Sequence, residues 1–600
     1  MKKNSLTTAI IAGVAGVAGL AGVAHAVNLN PDGIGQVLLY PYYTTNGGNS
    51  TLISVVNTSD VGKAVKVRFL EALNSKEVLD FNLYLSPFDV WTANVHLDDG
   101  KPGIRTSDKS CIAPNYVMPD PATGQARFTE FLNYEFEYWR PDLLGVGGHA
   151  NSPVYNAARK NQGHIEIIEM GDLGGLAHRY ALHGMHGGEW KPENCAWFET
   201  QWTTMGTPTN PTWLRQSGGT TTDGNNFGRG LHSVYPPGSG YWTTTVPAEL
   251  EFNDRGGAGG IFGSAYIVNG EEGTAYSYNA EAINGFYTIS DADTGNAADQ
   301  NLHHAPGTVY PSLWQAANYY DVGTNTYYST ATVFNAAGES NTLAFARSTT
   351  LPAPDAVSAV LSARHIMNEY AVNGITNAIS DWVVTFPTKQ LHVYRTRGAV
   401  PASTCVTGVP GLAPFSCAQG AGLNGSAGDN VFTGYWPEEF SVDYWDREEL
   451  EPSTPPDVGL VSPLPPPGQR VVLAFGAEAN TLTFIDKALI SAEDEEKLEY
   501  SVLKAPPSSG GGYYLGIEEN FHAGWARIGF DTQSVVVPAP AVTVPGAETT
   551  AFQLNGLPVV GFWAARHINH AAGDGISAYY NIIHRHRVTR DIGAAQTPAP

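Results

Sequence analysis

Positive charge is scarce in this chain. Of 600 residues, 33 are Lys or Arg against 57 Asp or Glu, a net charge of −24. Nucleic-acid binding needs clustered cations to neutralise phosphates, so that class is excluded. Sulfur is scarce too, with four cysteines and six methionines. No C-x-x-C pair occurs, which disfavours zinc, and no C-x-x-C-H marks a haem site. Beyond the N-terminus no apolar run approaches the roughly 18 residues a membrane-crossing helix needs. G-x-S-x-G, G-x-x-x-x-G-K-[ST] and H-E-x-x-H are all missing. With no nucleophile, phosphate or metalloprotease signature, the expectation is a protein that is not an enzyme.

What is present begins with a leader. Met1-Lys2-Lys3 is a short basic segment, an apolar stretch rich in Gly and Ala follows, and Ala24-His25-Ala26 has the A-x-A form of a cleavage site. Residues 1–26 read as a signal peptide, with the mature chain starting at Val27. Export places the protein at the cell surface or outside the cell, with the periplasm as the alternative. An even cysteine count in an exported chain points to disulfides. Cys405 and Cys417 flank a Gly/Pro-rich loop and form the first expected bridge, and Cys111–Cys195 follows by elimination.

Sixty-six Gly and 39 Pro are spread between short apolar runs, and aromatics make up 11% of the chain. That pattern is one of many turns joining strands around ample core material. In KAVKVRFLEA, Val65, Val67 and Phe69 alternate with Lys66 and Arg68, and LDFNLYL repeats the alternation. Period two predicts antiparallel strands with one dry and one wet face. The expected fold is mainly β, with several antiparallel, Ig-like β-sandwich modules, short helices and long loops. The expected domains are an N-terminal sandwich over 27–200, a loop-rich β region over 201–350, a β region with a Pro-rich connector over 351–470, and a C-terminal sandwich over 471–600.

Ala-Arg-His-Ile occurs twice, at 363–366 and 565–568. With Asn368 and Asn569 close behind, Arg364/His365 and Arg566/His567 align as one helix–turn–strand unit used twice. A duplicated unit ordinarily repeats a packing role, so both pairs are expected to be matched scaffold residues near a helix end. The segments STLISVVNTSDVGKAVKVRFLEALNSKEVLDFNLYLSPFDVW, GHIEIIEMGDL, NEYAVNGITNAISDWVVTFPTK and GLPVVGFWAARHIN resemble parts of a group of exported, mostly uncharacterised bacterial surface proteins. The resemblance implies export and a β-rich build, and it brings no catalytic residues.

Two clusters suit metals. Asp291, Asp293 and Asp299 sit in a Gly/Asn loop that partly resembles a calcium loop, although Leu302 stands where a bidentate acid is expected. His178, His183 and His186, with Glu189 after them, are close enough in sequence for a transition metal. Calcium is the cofactor the pattern favours, ahead of a transition metal. The functional expectation is an exported structural, surface-layer-like protein that assembles with itself and with cell-surface components. The alternatives are a secreted polysaccharide hydrolase and a surface protein binding metal or glycan.

Overall fold

In the computed structural model, the described residues are 26–73, 75–131, 157–201, 252–253, 259–286, short pieces between 303 and 324, 326–346, 356–372, 377–393, 414–415, 438–452, 457–458, 473–507, 511–573 and 576–595. Cys405, Cys417, Asp291, Asp293 and Asp299 lie outside them. The chain is mainly β and its sheets are mostly antiparallel.

The first sandwich has an inner and an outer sheet. The inner sheet is eight-stranded and centres on Val37–Thr44, Gln162–Leu173, Lys63–Glu71 and Glu77–Leu85, adjacent in that order. The outer sheet runs Thr274–Asn279, Ile261–Asn269, Asn49–Asn57, Val90–Asp98, Lys101–Arg105, Phe128–Glu130. Val65, Val67, Phe69 and Phe81 of the inner sheet meet Ile53, Val55, Trp91 and Ile267 of the outer one in a single core. Phe81 and Trp91 touch edge-to-face at 5.6 Å between ring centres.

The second sandwich pairs a six-stranded junction sheet with a five-stranded far sheet. The junction sheet holds Ala479–Asp486, Ala378–Thr385, Val560–Gly573 and Ile576–Arg585. The far sheet holds Glu438–Asp446, Ala523–Gly529 and His365–Ala371. Trp382, Phe484 and Trp563 of the junction sheet pack on Tyr370, Tyr444 and Ile528 of the far sheet. The other face of the junction sheet is also buried: Ile379, Val383, Phe562 and Ala564 join the core of the first sandwich. This explains the unbroken apolar run in DWVVTF, since a strand covered on both faces need not alternate.

Strand pairing cuts across the expected boundaries at 200 and 470. Ile261–Asn269 and Glu281–Asn284 complete the first sandwich, and strands on both sides of residue 470 share the junction and far sheets. Locally, the chain around the first Ala-Arg-His-Ile copy is helical over Ala356–Leu361 and then turns into strands. The segment after Thr385 forms the short helix Lys389–Val393.

The largest departure is the face of the inner sheet that carries Lys66 and Arg68. It is dry. Lys66 is fully buried and Arg68 is 4% exposed. Register supplies their partners: Arg68 lies opposite Asp80 on one side and Glu166 on the other. The Lys66 ammonium donates to Asp80 at 3.0 Å, and the Arg68 guanidinium donates to Glu77 and Glu166 at 2.7 Å each. Burial pulls the Lys66 ammonium below its ordinary value despite Asp80. Burial, reinforced by Asp80, pushes the Glu77 carboxyl up against the pull of Arg68. Alternation reports which side chains share a face. It does not report whether water reaches that face.

Removing one partner from such a network leaves buried charge uncompensated, at about 3–5 kcal/mol, whereas replacing the whole set with apolar groups is often neutral. Arg68→Met should therefore destabilise the chain by about that amount in urea titration. The combination Arg68→Met, Glu77→Leu and Glu166→Leu should recover most of the loss. A single substitution within ~1 kcal/mol of wild type would contradict the network's role.

Candidate functional site

The inner sheet ends at Leu85, and a tight turn follows before Val90. In it, the Ser86 amide donates to Asp89 Oδ2 at 2.9 Å and the Asp89 amide to the Ser86 carbonyl at 3.3 Å. Phe88 adopts a left-handed backbone, φ 58°, and its side chain is 70% exposed. That conformation costs a bulky residue about 1–3 kcal/mol, and such strain tends to cluster at functional positions. A second loop lies alongside. The Ser110 hydroxyl donates to Asp108 at 2.7 Å and to Asp89 at 3.3 Å, joining the two loops. Burial pushes the Asp108 carboxyl up, although Ser110 donates to it.

A small module closes the third side. It consists of helix Gly175–Ala181, the hairpin His183–His186/Glu189–Pro192 and helix Cys195–Thr200. The expected Cys111–Cys195 disulfide is present and pins this module to the inner sheet. It closes a sequence separation of 84, which contributes about 4.5 kcal/mol in the chain-entropy model. Lys109 adds an exposed ion pair to Glu189 at 3.3 Å.

Between the two loops and the module lies a groove of about 530 Å³, lined by Phe88, Asp89, Asp108, Lys109, His183 and Trp190 among others. Trp190 is 64% exposed. Of the histidine cluster, only His183 enters the groove. His183 and His186 are three residues apart on one strand, so alternation sends them to opposite faces of the hairpin. His178 sits on the preceding helix. Among the described residues, no three His, Cys, Asp or Glu side chains converge as a metal-ligand set.

His183 Nδ1 lies 3.0 Å from Ser86 Oγ and 3.5 Å from Asp89 Oδ2. A Ser–His–Asp relay needs the hydroxyl and the carboxylate on different ring nitrogens. Here one nitrogen serves both, so the trio is a hydrogen-bonding cluster and not a relay.

The two Ala-Arg-His-Ile copies are not equivalent. The first starts a far-sheet strand, and the chain then crosses to the junction sheet. The second lies inside Val560–Gly573, which turns back as a hairpin within the junction sheet. Neither is a helix–turn–strand unit, and only the first lies near a helix end. Arg364, 43% exposed, bridges Asp531 and Asp591 at 2.7 Å each. Arg566, 14% exposed, reaches Glu272 of the first sandwich at 2.6 Å. His365 Nδ1 meets the Thr589 hydroxyl at 2.7 Å. Burial lowers both His365 and His567, with Arg447 adding to the effect at His567. Asn368 donates to the His584 carbonyl at 3.0 Å, whereas Asn569 sits exposed opposite Ala578.

Sequence spacing did not point to Phe88, Asp89 or Trp190 as site residues. For Phe88 and Trp190 the signal is exposure of a large aromatic side chain, and for Asp89 the turn that brings it to His183; only tertiary structure reveals either. No protein-family model, no curated protein and no solved structure matches this chain. The resemblance to exported surface proteins gains no support from those comparisons.

Two outcomes follow from this geometry. Exposed ion pairs contribute about 0–1 kcal/mol, so Arg364→Ala should barely move the melting temperature. Arg566→Ala, which strips a mostly buried link between the sandwiches, should cost about 2–3 kcal/mol. Equal losses at the two sites would restore the idea of matched scaffold residues.

Asn368 also donates to His586 Nδ1 at 3.2 Å, while His586 Nε2 donates to the Val383 carbonyl at 2.9 Å. Burial lowers the His586 pKa to about 4, despite the Val383 bond. The unfolded chain takes this proton below about 6.5. Stability is therefore full above that value and lost as pH falls towards 4, by about 2–3 kcal/mol between pH 7.5 and 4.5. The Glu77 carboxyl, pushed up to about 8, shifts stability the opposite way over this range, so the comparison is with a variant: in denaturant titrations wild type should lose about 2–3 kcal/mol more than His586→Gln between the two pH values.

Proposed function

We propose that this chain is an exported, surface-located β-sandwich protein that binds carbohydrate in the groove beside Phe88 and Trp190. Two large aromatic side chains, 70% and 64% exposed, line one concave site, and this observation carries the reading. The exposed face of a sugar ring is a patch of C–H groups edged by hydroxyls. Aromatic rings cover the patch, and polar groups at the rim bond the hydroxyls. Asp89, Asp108, Ser86, Lys109 and His183 supply such a rim. Carboxylates outnumber cations around it, which favours neutral or amino sugars over acidic ones.

The hydrolase alternative has less support, because His183 presents the same nitrogen to Ser86 and Asp89. A self-assembling, surface-layer-like coat remains a second reading. It is favoured by the uncharged rows Phe262/Val56/Val90 and Ser264/Ser54/Thr92 on the outer sheet.

Isothermal titration of the full chain with neutral and amino-sugar oligosaccharides tests the proposal. Trp190→Ala and Phe88→Ala should each weaken binding about tenfold, as expected for a ring contact of about 0.5–1.5 kcal/mol, with unchanged circular dichroism. Absence of binding by the wild type, or full binding by both variants, would overturn it.

A further inference from the structure

The outer sheet buries one face and exposes the other. Along Asn49–Asn57 and Ile261–Asn269, exposure alternates residue by residue. The exposed face is unusual for a chain of net charge −24. From Ala275 to Asn279, Phe262 to Val268, Ser50 to Val56 and Val90 to His96, no outward position holds Asp, Glu, Lys or Arg. Within these ranges the four adjacent strands present an uncharged surface, bordered on one side by Asp98 and Arg105.

The surface is ordered in rows by strand register. Phe262, Val56 and Val90 form one apolar row across three strands. Ser264, Ser54 and Thr92 form the next, a valley of small hydroxyl side chains. Tyr266 and Leu52 form a second apolar ridge beyond it. Four of these apolar residues are 38–48% exposed: Phe262 38%, Leu52 41%, Tyr266 46% and Val90 48%. Successive rows are two residues apart along the strands, about 7 Å.

We propose that this face is a contact between two copies of this chain. A ridge–valley–ridge surface is complementary to itself. Turned by a two-fold axis and offset by one row, the ridge of one copy fills the valley of the other, an isologous arrangement. Charge selects the same partner. Two copies of net charge −24 repel wherever their acids meet, and they approach most easily where both are uncharged. Sheet faces pack about 10 Å apart when their side chains interdigitate in this way. The footprint of four strands is roughly 450 Å² per copy, so a single contact lies at the weak end of protein interfaces. Such a contact is reversible alone and effective when the protein is concentrated on a surface. The inference does not rest on carbohydrate binding in the groove.

Sedimentation velocity of the full chain over about 10 to 500 µM tests it. The wild type should shift from monomer towards dimer. Ser54→Lys and Leu52→Asp, both at surface positions, should each stay monomeric while keeping wild-type circular dichroism. Mixed in equal amounts, the two variants should associate again, because the new charges face each other across the offset rows. A wild type that stays monomeric throughout overturns the proposal, as does a dimer that both variants retain. A monomeric wild type that co-sediments with insoluble polysaccharide particles through this face also overturns it, assigning the face to a glycan surface. Oligosaccharide titration reads the groove separately, so either idea can fail alone.

Discussion

The strand Ala378–Thr385 is buried along its whole length, and the architecture depends on that burial. One of its faces belongs to the core of the second sandwich and the other to the core of the first. The two sandwiches are therefore not beads on a linker. A methylene lost from Val383 is felt by one core and one lost from Trp382 by the other, although the residues are neighbours. The same strand carries Asp381, fully buried, whose carboxylate accepts 2.7 Å bonds from Thr483, Ser501 and the Leu503 amide. Burial pushes this carboxyl up while those donors hold it down. A polar anchor of this kind fixes register where apolar packing alone tolerates slippage.

The fold class was legible in the sequence because period-two alternation and frequent Gly and Pro are local signals. The strands around Val65 and Leu83 came from that pattern alone. The dryness of the Lys66 and Arg68 face did not. Their partners Asp80 and Glu166 sit on other strands, and register is a product of the whole sheet. The Cys111–Cys195 bridge followed from compartment and parity. Domain boundaries were hidden because strands such as His365–Ala371 and Ala523–Gly529 are far apart in sequence and adjacent in space.

The candidate site was half legible. Histidine spacing drew attention to residues 178–189, and the groove does lie there. The three histidines of that spacing do not converge among the described residues, for a reason of parity. Residues three apart share a face on a helix but not on a strand, and the hairpin is a strand pair. The Ala-Arg-His-Ile echo misled for a related reason. Identical letters were assigned to one kind of element, while each copy takes its conformation from the sheet it joins. Arg364 and Arg566 end with different acids and different exposure because their neighbours come from distant parts of the chain.

The disulfide gives the groove a condition for existing. The module over 175–200 forms one wall, and Cys195 binds it covalently to the strand that carries Cys111. The two sandwiches are built by sheet pairing, and the bond joins a helix of the module to a sheet strand rather than one sheet strand to another. Thiol chemistry therefore acts on one wall of the groove most directly, because the covalent tie falls there and not between sheet strands. With the cysteines reduced, that wall would rest on non-covalent contacts such as the Tyr84–Phe198 ring stack and the Lys109–Glu189 pair, so the geometry of the groove is coupled to the oxidation state of two residues that do not line it.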